Sequence, residues 1–518
     1  MHKLRALIRK LKALSPRASV IVSSIAQITI KPIGYLRLVL IAYLFGASAG
    51  VDAFYIASGA VSLIMGLAVS IVQTAVLPNL MRLSSEDDNA ARSYFAYVIR
   101  FVLVLGVMAV FVVMFFPVKC IWLFASTLDD ERAGIAAKML LLLLPMGYAQ
   151  LLTALLSVWA NYKKIYSLIN IINAFASPAG LLILIILIPF MGVYSIALSL
   201  SLINIAIFIV SMYLLRDIPL FLKTEIPAGF LRKTAIDSGL CIGILGAGTF
   251  YTVVDRWFAA GLEAGNISAI SYSSQIASLM MIFVGITSQM HLTHSSRISD
   301  NVSLLEESLN KSLAIGWAYM LPLACVATAL SFPIIKLSFG YGAFDERAVS
   351  LTAPCFAILA VVTPFSVWTA IMSNFGLATS KLNFILKITY VSVFINVFLD
   401  WLFAPIWGAP GLCAATSMNQ VVVCIYSVHQ LAPRGTFARQ VPSIVKQVVF
   451  STVWAVILFF ISDNMFTSIV VGITLVAVHL FACEYFCWLE PVPESWRPRA
   501  MLEIVLSRIR KLFVKKEV

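Results

Sequence analysis

Two cations lie six residues apart inside one apolar run, "ITIKPIGYLRLVLIAYLFGASAGVDAF", residues 28–54. Lys31 and Arg37 stand where a lipid-facing helix would carry leucine, and a cation at mid-bilayer costs about 2.5–3.5 kcal/mol on insertion scales. Charges kept at that cost face a partner or a watery interior, and two cations together suit the holding of an anion. Pro32 and Gly34 sit beside them. Proline removes a backbone hydrogen bond and glycine weakens a helix, so a bend or unwinding is expected there, able to aim both charges into a cavity. The competing reading is that both snorkel or pair with Asp52 and serve folding alone.

A second constellation is all oxygen. Asp255 and Arg256 close an expected helix, Asn396 and Asp400 share a helix face at i, i+4, and Thr416 lies early in the next apolar run. Carboxylate, amide and hydroxyl oxygens suit a hard cation such as sodium. An interfacial Asp255–Arg256 pair and a capping Asp400 account for the same residues equally well. The eight cysteines show no ligand or disulfide spacing, and the five histidines are scattered. "GILGAG" (243–248) imitates a phosphate loop, but it lies within an apolar run with neither strand nor lysine, where close helix packing explains it better.

The elements that must position these groups follow from composition. Of 518 residues, 61% are hydrophobic and 12% charged, with a mean hydropathy of +0.96. A soluble domain carries about 25% charged residues, so this is a polytopic membrane chain. Fourteen runs reach spanning length: 20–45, 53–80, 94–116, 138–160, 165–189, 193–215, 238–261, 267–292, 312–335, 350–375, 382–404, 411–431, 446–462 and 465–488. No stretch between them could hold a soluble enzyme domain. Lys and Arg concentrate in alternate loops and both tails, which places both termini in the cytoplasm and explains the +13 net charge as a topology signal, not a nucleic-acid footprint. "MHKLRALIRKLKAL" and the tail "AMLEIVLSRIRKLFVKK" read as basic interfacial helices.

The chain also matches itself at a shift of about 216 residues. "FP" at 116–117 recurs at 332–333, "DERA" at 130–133 recurs at 345–348, and Gly192 corresponds to Gly408. "GASAGVDA" (46–53) aligns with "GLEAGNISA" (261–269), one residue being inserted. Six helices per copy is an even number, so the copies share one orientation and are related by an axis along the membrane normal. The expected fold is all-α: an N-lobe at 20–215, a linker at 216–237, a C-lobe at 238–432, two added helices at 446–488, and basic ends at 1–19 and 489–518.

At "GYLRLVLIAYLFGASAGVDAFYIA" the chain resembles the MurJ/MviN family, lipid II flippases of the MOP transporter superfamily. The family shows Arg-x-x-Gly-x-x-Arg, Phe-Gly-Ala and Asp-Ala-Phe; here stand Lys31-x-x-Gly34-x-x-Arg37, Phe45-Gly46-Ala47 and Asp52-Ala53-Phe54. Likeness continues at "VDRWFAAGLEAGNISAISYSSQI", "GYGAFDERA" and "INVFLDWLFAPIWGAPGLCAATS", covering about residues 20–432.

The resemblance implies a V-shaped, MATE-like pair of lobes with a cationic cavity for the pyrophosphate and sugar of an undecaprenyl-linked precursor, substrate contacts at Lys31, Arg37, Asp52 and Gln275, and a bacterial inner-membrane location. It implies sodium held by Asp255, Asn396, Asp400 and Thr416. Two family arginines are missing: the second helix reads "LIMGLAVS" without charge, and Tyr-Ala-Asp-Arg has become Tyr272-Ser273-Ser274-Gln275. Lysine at 31 lacks arginine's bidentate fork. A flippase for lipid-linked exopolysaccharide or O-antigen units is therefore one alternative and a MATE-type antiporter another, with a scaffold for envelope-glycan synthesis enzymes a third. Expected partners are the lipid-linked saccharide, membrane lipids and such enzymes, with no nucleic acid.

Overall fold

The computed structural model describes residues 16–215, 217–219, 239, 253–281, 302–379, 381–432, 436–461 and 465–485. Every regular element among them is helical. Two compact units are present. The first comprises Met1–Ser268 with Tyr341–Asp345, the second Ala269–Gly340 with Glu346–Val518.

The first unit holds α1 (Pro16–Phe45), α2 (Ala49–Ile71), α3 (Leu77–Glu86), α4 (Asp88–Phe115), α5 (Pro117–Phe124), α6 (Asp130–Tyr162), α7 (Leu168–Met191) and α8 (Tyr194–Leu214), followed by α9 at 253–260. A π-helical turn, Val72–Val76, joins α2 to α3, so the second span runs from Ala49 to Glu86. α6 is the central helix. Its apolar window is 72% buried, against 17% in α4 and in α7, which turn their leucines and phenylalanines outward as lipid-facing helices do. Alanines 133, 136, 137, 149, 154 and 160 let α2 and α8 approach α6 closely. Trp159 closes one end of this core, stacked between Phe95 and Tyr162 at 4.7 Å from each.

The second unit holds most of α10 (Asn266–Met280), whose first turn belongs to the first unit. It continues with α11 (Val302–Ala329), α12 (Ser331–Phe339), α13 (Glu346–Val361), α14 (Thr363–Ala378), α15 (Leu382–Trp407), α16 (Ala409–Leu431), α17 (Thr436–Ile461) and α18 (Met465–Tyr485). Here α11 is central, packed on α13, α14, α17 and α18. Leu309, Leu313, Trp317, Trp368 and Ile371 form its core, and Trp368 donates Nε1–H to Leu313 O at 2.9 Å, tying α14 to α11. Between α17 and α18, the buried His479 ring meets Ser451 Oγ at 3.0 Å and Cys483 Sγ at 3.2 Å.

The two stretches that match in sequence also share a local order of helices. In each copy a long helix is followed by a short one with proline near its start, Pro117 in α5 and Pro333 in α12, then by a helix opening at the DERA motif. Gly192 (φ 53°, ψ −131°) and Gly408 (φ 59°, ψ −130°) then turn the chain through the same left-handed geometry.

Several expectations change. Among the described residues, ten helices are long and apolar enough to cross a membrane, or eleven with one bent pair. The runs expected at 238–261 and 267–292 lie partly outside the described residues. "GILGAG" and the basic segments at 1–15 and 489–518 lie wholly outside them, and the linker at 216–237 almost wholly. The run 350–375 is not one straight helix: α13 and α14 meet at 45°, because Pro364 has no N–H to continue the ladder. α1, in contrast, stays helical through Pro32 and Gly34, so the expected unwinding is absent. A proline forfeits one hydrogen bond, and membrane helices absorb that loss by local adjustment.

Candidate functional site

Because α1 is continuous, Lys31 and Arg37 point to different sides, about 120° apart at 100° per residue. Lys31 is exposed and Arg37 half-buried. The Arg37 guanidinium donates from Nη2 to Ile196 O on α8 at 3.2 Å, an oxygen that also accepts Ser199 Oγ–H at 3.0 Å. Among the described residues Arg37 forms no ion pair.

Asp52, in the first turn of α2, is fully buried. Oδ2 accepts the Gly265 N–H at 2.6 Å, and Oδ1 accepts the Ser268 N–H at 2.7 Å and the Ser268 hydroxyl. Its carboxylate thus lies on the first turn of α10, where free N–H groups and the helix dipole favour an anion. The stretch before that turn is fastened to the same unit. Arg132 Nη1 donates to Leu262 O at 3.1 Å, Thr127 Oγ1 to Trp257 O at 3.1 Å, and Trp257 Nε1 to Ser126 Oγ at 2.8 Å. Arg256, read from the sequence only as a neighbour of Asp255, donates from Nη1 to Tyr55 O at 2.7 Å. Nothing local in the sequence announces that reach across about 200 positions; the small residue Gly59 opposite it is the one legible trace.

The second unit brings three of the four oxygen residues onto two packed helices. Asn396 and Asp400 are fully buried on α15, with Asn396 Nδ2 donating to Asp400 Oδ2 at 2.8 Å. Thr416 on α16 donates to Leu412 O at 3.1 Å. One turn further, Asn419 donates from Nδ2 to Ser392 Oγ at 3.0 Å and to Asn396 Oδ1 at 3.3 Å, leaving its buried Oδ1 without a hydrogen bond. Asn419 was not anticipated, although it follows Thr416 by three residues and so shares its helix face. Asp255 belongs to the first unit, and Gln275 is exposed on α10. No group of three His, Cys, Asp or Glu side chains suited to a metal ion occurs among the described residues.

Comparison with known proteins is decisive on family. Residues 41–480 match the family described as "Lipid II flippase MurJ". The chain belongs to the MurJ family. It is 23% identical over 415 residues to the probable lipid II flippase MurJ of Thermotoga maritima, covering 77% of this chain and 82% of that protein. A second relative, the probable lipid II flippase MurJ of Synechocystis, is 25% identical over 160 residues, covering 30% of this chain and 29% of that protein. Among solved structures, lipid II flippase MurJ in an inward closed conformation superposes with a TM-score of 0.76 at 21% identity, over 90% of this chain and 99% of that one. An inward-facing multidrug resistance MATE transporter of the MOP superfamily superposes at 0.61 with 15% identity, over 82% and 99%. The MurJ fold is thus shared with MATE transporters. This MurJ-family chain is a multi-pass membrane transporter of the flippase class, not an enzyme.

Proposed function

We propose that the protein carries lipid II, a polyprenyl-pyrophosphate-linked saccharide, across the bacterial inner membrane by alternating access, with two six-helix repeats followed by two added helices and both termini cytoplasmic. The observation that carries this reading is Arg37: a guanidinium held inside the first unit by a single carbonyl, Ile196 O, with no ion pair among the described residues. A cation kept in an apolar interior without a carboxylate is stabilised when an anionic substrate arrives. Lys31 adds positive charge on the exposed side of α1, and Asp52 positions the first turn of α10 through Gly265 and Ser268.

Sodium fits the second unit's donor set. The Asp400 carboxylate, the Thr416 hydroxyl and the buried Asn419 Oδ1 are hard oxygen donors beside Asn396. A bound monovalent cation would offset the charge of the buried Asp400.

The neutral Gln275, where the family motif carries arginine, favours one second reading: the cargo is a lipid-linked exopolysaccharide or O-antigen unit. Expression in a strain depleted of its lipid II flippase separates the two. Restored growth and restored lipid II translocation are expected for the first reading. Normal membrane abundance without either overturns it.

A further inference from the structure

One buried imidazole of the second unit has no part in the reading above. His479 of α18 is 2% exposed, and both of its ring nitrogens are engaged, Nδ1 with Ser451 Oγ of α17 at 3.0 Å and Nε2 with Cys483 Sγ at 3.2 Å. The Phe450 ring lies 5.7 Å away, centroid to centroid. Cys483 is in turn fully buried, packed with Ala314 and Ala318 of α11. Two turns before His479, a Cβ on Gly472 would stand 2.9 Å from Val326 Cγ1, so α18 runs close against α11. The ring thus sits where α11, α17 and α18 pack on one another.

An imidazole is the side chain whose charge changes between about pH 5 and 8. Neutral, it has one donor and one acceptor nitrogen, and a hydroxyl on one side with a thiol on the other matches either tautomer. Protonated, it has two donors, and a thiol sulfur is a weak acceptor for one of them. His479 forms no ion pair among the described residues, so the closed contact sets no carboxylate against a charged ring. A charge buried without a partner is costly, and a neutral ring avoids that cost. The ionisable groups on the three helices around it are Cys483 and Glu484 of α18, Tyr319 and Cys325 of α11, and the exposed Lys446 of α17. One turn before Ser451 on the same face of α17, Gln447 is 3% exposed, and its Oε1 accepts no hydrogen bond among the described residues. That oxygen is an acceptor in reserve beside the ring's present partner. We infer that His479 is a proton-binding site that governs how α18 is held: neutral, it fastens α18 to α17 and α11, and protonated, it releases that contact toward Gln447 and water. The inference concerns the added helices alone and does not depend on the cargo.

The test is hydrogen exchange over residues 470–485 of the purified full-length protein in detergent, from about pH 8 to about pH 5, corrected for the intrinsic pH dependence of amide exchange. Because the closed contact holds the ring neutral, α18 should be held fully at the upper end and loosen as the pH falls. One proton bound by the released state alone raises the opening equilibrium by up to about tenfold per pH unit below about pH 6.5. His479→Gln keeps a donor and an acceptor but does not titrate, so its corrected exchange should be the same at both ends of the range. Gln447→Leu should leave exchange at the upper end unchanged and cut the acid response about tenfold, the loss of one hydrogen bond to a charged group. Glu484→Gln should keep the full response. A flat profile in the wild type, an undiminished response in His479→Gln or in Gln447→Leu, or a response lost in Glu484→Gln overturns the proposal. If His479→Gln does not fold, the other two variants decide by the same outcomes.

Discussion

Asn396 donates its amide N–H to Asp400 Oδ2 at 2.8 Å, both side chains fully buried one turn apart on α15. A neutral amide brings no positive charge to the carboxylate it binds. Sodium should therefore raise the thermal stability of the purified protein above that in potassium at equal ionic strength. Asp400→Asn should abolish the difference. Asn419→Leu, which deletes the buried Oδ1 acceptor on α16, should reduce it. Equal melting in the two salts for the wild type would discard the ion site.

Arg37→Ala should cut complementation of a flippase-depleted strain to below about a tenth of wild type, the effect of losing one charge-assisted contact of about 1.5–3 kcal/mol. Lys31→Ala should cost less, because α1 turns Lys31 outward on another side of the helix. Immunoblotting of membranes gives the abundance control. Lys31→Ala proving the more damaging would show that the exposed side of α1 is where the cargo is held.

Gln275→Arg restores the residue that the family motif carries at an exposed position of α10. If the wild type rescues lipid II transport poorly, this substitution should improve it, and growth rate under depletion measures the gain. A decline in rescue would show that the neutral residue suits the cargo.

Asp52→Ala should strip three hydrogen bonds from the first turn of α10 and strand the N–H groups of Gly265 and Ser268, costing about 2 kcal/mol or more. Hydrogen exchange should accelerate over residues 265–268 while the centre of α6 stays protected. Unchanged exchange there would contradict the capping role.

How far the sequence could be read depended on the range of the interaction. Spans were legible because each needs about 20 apolar residues whatever it packs against, and the ends of α7, α15 and α16 fall within three residues of expectation. The matching turns at Gly192 and Gly408 were legible, because a paired glycine encodes loop geometry directly. The bend between α13 and α14 was signalled by Pro364 but hidden within a continuous apolar run. The π turn at Val72–Val76 carries no proline or glycine, so only the structure reveals it. Pairings across the chain were hardest. Asp52 was visible as a costly charge, but its partners lie 213 and 216 positions away. Arg37 was likewise visible, and its mooring at Ile196 was not.

Asp52 and Ser268 occupy matching places in the two copies, since "GASAGVDA" aligns with "GLEAGNISA" so that 52 falls on 268. The residue that Asp52 binds is its own counterpart. Two aspartates would set carboxylate against carboxylate, and two serines would leave no anion to cap the helix. The bond needs unlike residues at the two places, an acid in one stretch and a hydroxyl in the other. A homologous half-length chain assembling as a symmetric pair could not use this bond twice.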